Sequence, residues 1–165
     1  LGLADAIVEI TGVHAGFLGL TAKTLIAGIA GLIVGFSASI SMASAAYLQS
    51  KQGMEFSPRR SALITGISYI LTVILLALPY FLTKSMFLAF FSSVVIAIVM
   101  ITFFNYYSSL IFGKNFIKEN FESILVIFGV ALLSFLFGEG LNRLFEINVR
   151  GIWTSIEKEE VQSNL

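Results

Sequence analysis

The chain has 165 residues, 57% of them hydrophobic and only 12% charged, with ten basic and ten acidic side chains in balance. Water-soluble domains carry about 25% charged residues, so a soluble globule is excluded, and zero net charge leaves no basic patch for nucleic acid. The absence of Cys removes disulfides, thiolate metal sites and cysteine nucleophiles.

Five apolar segments follow one another, separated by polar punctuation. The first covers residues 1–20 and ends at Thr21-Ala22-Lys23-Thr24. No basic region precedes it, so it is not a signal peptide, and a chain opening on Leu is expected to begin partway through a longer polypeptide. The second covers about 25–48 and ends at QSKQGMEFSPRRS; the third, about 62–82, stops after Pro79 at Lys84. The fourth, about 86–112, stops at GKNFIKEN, and the fifth covers about 121–145. Each can cross a hydrocarbon core of about 30 Å at about 1.5 Å per residue. Backbone groups in lipid must bond within their own segment, and these runs lack the alternation of barrel strands. The expected fold is therefore all-α, a polytopic membrane protein with five transmembrane helices over residues 1–146 and a polar tail, 147–165.

Five spans place the termini on opposite sides. Lys51, Arg59, Arg60, Lys114 and Lys118 collect on the N-terminal side, against Lys23 and Lys84, with Arg143 and Arg150 after the last span. The positive-inside rule then sets the N-terminus in the cytoplasm and the C-terminus outside. Tyr106, Tyr107 and Trp153 read as interface aromatics. Glu139 and Arg143, four residues apart, are expected to pair.

The first segment carries Asp5 and Glu9 one helical turn apart, although a carboxylate at mid-membrane costs about 2.5–3.5 kcal/mol. On a helix Gly2, Asp5, Glu9, Gly12, Gly16 and Gly19 share one side. The second segment repeats the pattern with Gly28, Gly31, Gly35, Ser39, Met42 and Ala46. Small residues at this spacing let backbones approach closely, so the two faces are expected to meet each other, or their copies across a dimer axis. Measured from the turn at Ala22-Lys23, Asp5 lies about 26 Å away and Met42 about 29 Å, nearly one level. Asp5 could also stand near the cytoplasmic interface and reach water. Two carboxylates beside a thioether and the Ser39 hydroxyl suit a borderline divalent ion such as Fe2+ or Mn2+ better than Mg2+ or Ca2+. Met42 taken alone would be core packing.

The remaining polar residues carry two readings each. Asn105 in the fourth segment is either an interhelical hydrogen-bonding residue or an ion ligand. Glu122 follows Asn120, which reads as an N-cap, and is either a dipole-stabilised first-turn acid or an ion-entry ligand with Glu119. His14, the single histidine, projects away from Asp5 and Glu9, toward another helix or the dimer partner. The glycines lie inside apolar spans and form no phosphate loop. Serines 37, 39, 41 and 44 find no histidine base, and Asp5 is the single aspartate, so no enzyme signature emerges.

DAIVEITG, GLIVGFSASISMASAAYLQSK, FNYYSS, NFIKENFES and GVALLSFLFG together resemble the vacuolar iron transporter family, in particular prokaryotic members without a large insert after the second helix. The likeness covers about residues 5–145. It implies a homodimer of five-helix chains in a prokaryotic plasma membrane that exports Fe2+ or Mn2+ from the cytosol in exchange for protons, with no organic cofactor. It also implies that Asp5 and Met42 line the ion path. The DGxxxPF pattern of eukaryotic members is replaced by DAIVEIT, and SMASAAYL places Ala46 where many members carry a carboxylate, a charge Glu9 is expected to supply. Some relatives carry a ferritin-like domain upstream, so a non-transporting membrane module that anchors or recruits such a partner is the alternative expectation.

Overall fold

A computed structural model of the chain describes residues 2–21, 23–53, 57–144 and 162. Five helices follow in order: α1 (Gly2–Leu20), α2 (Thr24–Gly53), α3 (Pro58–Leu82), α4 (Met86–Phe112) and α5 (Phe116–Leu144). All five are long and apolar enough to cross a membrane, and among the described residues there is no strand. Arg150, Trp153 and the boundary between bundle and tail lie outside the described residues.

The bundle is apolar on the outside and small on the inside. Ile33, Phe36, Phe91, Val99, Phe103, Leu133 and Phe137 all face outward, a surface tolerable only in lipid. Ala6, Ala27, Ala77, Ala89, Ala97 and Ala131 lie in the interior, with larger fillers such as Ile7, Ile10, Tyr69, Val73 and Leu76 at the centre. Lipid tails are as apolar as leucine, so burial of apolar surface does not hold these helices together; close packing over small residues does.

The shortest helix is the most enclosed. α1 touches all four others, and 44% of its apolar stretch is buried, against 17% for α5. Its glycine face meets α5. A Cβ at Gly12 would stand 2.9 Å from Val130, and one at Gly19 would stand 2.7 Å from the Phe135 carbonyl oxygen. Gly138 lies against the Gly16 backbone itself. The small face of α2 turns instead to α3, where Val73 fills the notch at Gly35 and Tyr80 stands 3.0 Å from where a Gly28 Cβ would lie. The two small-residue faces therefore do not meet each other as the sequence suggested; each takes a different partner. His14 of α1, fully buried, occupies the notch at Gly31 of α2.

Helix ends follow local chemistry. Ser85 caps α4, accepting from the Leu88 amide at 3.5 Å. Gly113 ends that helix at φ 63°, a left-handed conformation glycine adopts without steric penalty. α5 starts five residues before the expected Phe121. Asn115, not Asn120, accepts the Lys118 amide at 3.3 Å, while Asn120 lies a turn inside the helix with its side chain near Asn105. α2 and α3 also run further than their apolar cores, through Gln49–Gly53 and from Pro58, because polar residues outside the hydrocarbon do not stop a helix. Glu139 accepts from Arg143 at 3.3 Å, as the spacing required.

Gly138 at the α1–α5 contact should be irreplaceable. Gly138→Ala forces a methyl into the Gly16 backbone and should cost about 1–3 kcal/mol, read as a lower melting temperature in detergent. Gly140→Ala, which meets nothing within 4 Å, should be neutral or gain up to about 1 kcal/mol.

Candidate functional site

Two clefts run along the acidic side of α1. The first, about 540 Å³, lies between α1 and α2 and is lined by Asp5, Glu9, Ser37, Ala38, Ser41 and Met42, with Ile33 and Val34. The level computed from helix rise is thus realised: Asp5 and Met42 share one cleft although 37 residues separate them (42 minus 5). The second, about 750 Å³, continues between α1 and α5 past Gly12, Gly16, Ser134 and Phe137 and is almost wholly apolar. Glu9 and Val34 line both, so the two form one trough with Glu9 at the junction.

The trough is open along one side. Asp5 is exposed and Glu9 half-buried, so in a single chain the acids are sheltered by α2 on one flank without being enclosed. Among the described residues no three His, Asp or Glu side chains gather into a metal-binding cluster. One chain offers two carboxylates, a thioether and two hydroxyls. Those hydroxyls belong to Ser37 and Ser41, not to Ser39. Ser39 is buried, its hydroxyl donating to the Phe36 carbonyl at 2.8 Å, and its backbone faces Gly66 of α3. The spacing of Ser39 from Gly35 put it on the small face correctly, but that face looks at α3. Ser37 and Ser41 each lie two residues away, on the flank turned to α1.

Glu9 has a partner that the sequence reading did not identify. Tyr69, fully buried on α3, donates its phenol O–H to Glu9 Oε2. A hydrogen bond to an ionised group contributes about 1.5–3 kcal/mol, comparable with the about 2.5–3.5 kcal/mol that a mid-membrane carboxylate costs. Tyr69 therefore offsets much of what Glu9 requires. The signal was present in the chain: membrane tyrosines concentrate at the interfaces, and Tyr69 sits in the middle of an apolar span.

The other polar residues lie elsewhere. Asn105 is buried and joins α4 to α5, its amide donating to Ser123 Oγ at 2.9 Å and lying 3.5 Å from both the Glu119 carbonyl and Asn120 Oδ1. Glu119 faces Lys114 at 3.4 Å and Glu122 faces Lys118 at 3.9 Å, both pairs well exposed. None of these three lines the cleft that holds Asp5 and Met42. His14 points away from the acids and stacks on Tyr80, ring centroids 4.1 Å apart; neither ring nitrogen finds a hydrogen-bond partner among the described residues.

Comparison with family profiles matches the VIT family over residues 50–139. The match covers the end of α2, all of α3 and α4 and most of α5; Asp5, Glu9 and Met42 precede it. Neither the curated proteins nor the solved structures returned a match.

Replacing Asn105 with Ala removes the bridge between α4 and α5 and should cost about 1 kcal/mol. An unfolding titration in mixed micelles measures it, and no loss would mean that the hydrogen bonds to α5 are incidental.

Proposed function

The chain belongs to the VIT family, a family of membrane metal-ion transporters, and from that premise we propose that it exports Fe2+ or Mn2+ from the cytosol in exchange for protons. The observation that carries this reading is the convergence of Asp5, Glu9, Ser37, Ser41 and Met42 on one cleft. Carboxylate and hydroxyl oxygens suit any hard divalent ion, while the thioether favours the borderline ones. The same carboxylates supply the exchange. A carboxylate that releases a cation into an acidic compartment takes up a proton in its place, so charge in the trough stays balanced through the cycle.

The open side of the trough supports a homodimer. Asp5 beside acyl chains would carry the full cost of a charge in lipid, and a second copy laid along α1 covers it and brings two further carboxylates. Four carboxylates and two thioethers around one axis form a fuller donor set than a single chain offers. The protein in detergent should therefore show twice the chain's 18.0 kDa by light scattering. Loop charge orients the N-terminus to the cytoplasm of a prokaryotic cell, with Lys51, Arg59 and Arg60 on that side.

A second reading is a membrane module that anchors a metal-handling partner, such as an upstream ferritin-like domain, and moves no ion. Ala46, one turn beyond Met42, favours it, since this position holds no carboxylate. Calorimetric titration with Mn2+ separates the two, because tight binding that depends on Asp5 opposes a mere anchor.

Reconstituted vesicles should accumulate Fe2+ or Mn2+ when a pH gradient is imposed and stop when a protonophore collapses it. Asp5→Ala should lower uptake about tenfold or more, the effect of losing about 1.4 kcal/mol or more of ion stabilisation. Uptake by Asp5→Ala equal to wild type would refute the proposed path.

A further inference from the structure

The geometry points to Tyr69 as the positioning residue of the ion path, a phenol that holds Glu9 so that one carboxylate oxygen is committed and the other is presented to the passing ion. The inference rests on the transport reading above.

Three observations converge on it. The Tyr69 O–H donates to Glu9 Oε2, which leaves Oε1 as the oxygen free to meet a cation. The phenol is itself immobile: Tyr69 is fully buried among Ala6, Ile7, Ile10 and Val73, so its hydroxyl stands where packing sets it. Glu9 sits at the junction of the two clefts, and an untethered glutamate with three rotatable bonds could swing toward either. Anchored from α3, it stays beside Asp5, Ser41 and Met42.

The chemistry of the pair also fits an exchanger. A phenol donates to an ionised carboxylate and accepts from a protonated one, so the same contact persists in the ion-bound and proton-bound states. Glu9 can change its cargo without changing its place.

Tyr69→Phe keeps the ring and removes the hydroxyl. In vesicles it should raise the KM for Mn2+ about tenfold or more, the size expected for losing one charge-assisted hydrogen bond, with the maximal rate within about twofold of wild type, as for loss of binding alone. Infrared spectra of the metal-free protein give an independent readout. The carboxylate band lost in Glu9→Gln should be displaced, not lost, in Tyr69→Phe. Thr72→Val is the control: Thr72 is buried one turn further along α3 and donates to its own helix at Ser68 O, 2.8 Å, so its loss should move neither KM nor band. An unmoved Glu9 band in Tyr69→Phe, or an unchanged KM in protein that melts at the wild-type temperature, overturns the proposal. Should wild-type vesicles take up neither ion, the transport reading fails instead, and the infrared band still decides whether Tyr69 tethers Glu9.

Discussion

The contact between Gly16 and Gly138, backbone against backbone, governs the rest of the molecule. It lets α5 lie tightly along α1, and that leaves the acidic side of α1 looking out between α5 and α2. With a methyl at Gly138 the helices would separate, α1 could rotate, and Asp5 and Glu9 would no longer share a cleft with Met42. The side chain missing at Gly138 thus orients the charged ones.

The energetics divide between two kinds of neighbour. Apolar burial contributes little in lipid, so the bundle relies on fit: Val73 at Gly35, His14 at Gly31, Val130 at Gly12. Polar groups are handled individually. Ser39, Ser44, Ser68 and Thr72 return their hydroxyls to helix carbonyls, Ser93 reaches across to Leu76 O at 2.8 Å, and Asn105 joins two helices. Glu9 has Tyr69. Ser37 and Ser41 have no such bond among the described residues, and they are the hydroxyls that line the cleft. Donor capacity is left free where a cation would use it.

Much of this was legible in the chain. The number of helices followed from span length, and the common level of Asp5 and Met42 followed from helix rise, because both quantities are local and regular. A helical wheel could name a face but not its partner. Gly12 and Gly16 were grouped correctly, yet nothing on the wheel distinguishes α5 from α2 as the surface they meet. Asn120 misled because its position before Glu122 imitates a cap; the helix had already begun at Asn115, whose side chain does the capping. Tyr69 escaped notice because its place in mid-span says only that it needs a partner, and a hydrogen bond across 60 residues does not name Glu9 in either segment's pattern. Ser39 was assigned to the path on its face alone, and the cleft turned out to take its neighbours on either side.

The seam between α1 and α5 also joins the two ends of the described bundle. Synthesis runs from the N-terminus, so α1 enters the bilayer ahead of the other four described helices and waits, its glycine groove unfilled, until α5 has been threaded. α2 and α3, consecutive and closely fitted, can pair as soon as both are inserted. Assembly therefore ends with the step that aligns the acids, and a nascent chain cut short before α5 would hold about seven-tenths of the 165 residues without the contact that orients its carboxylates.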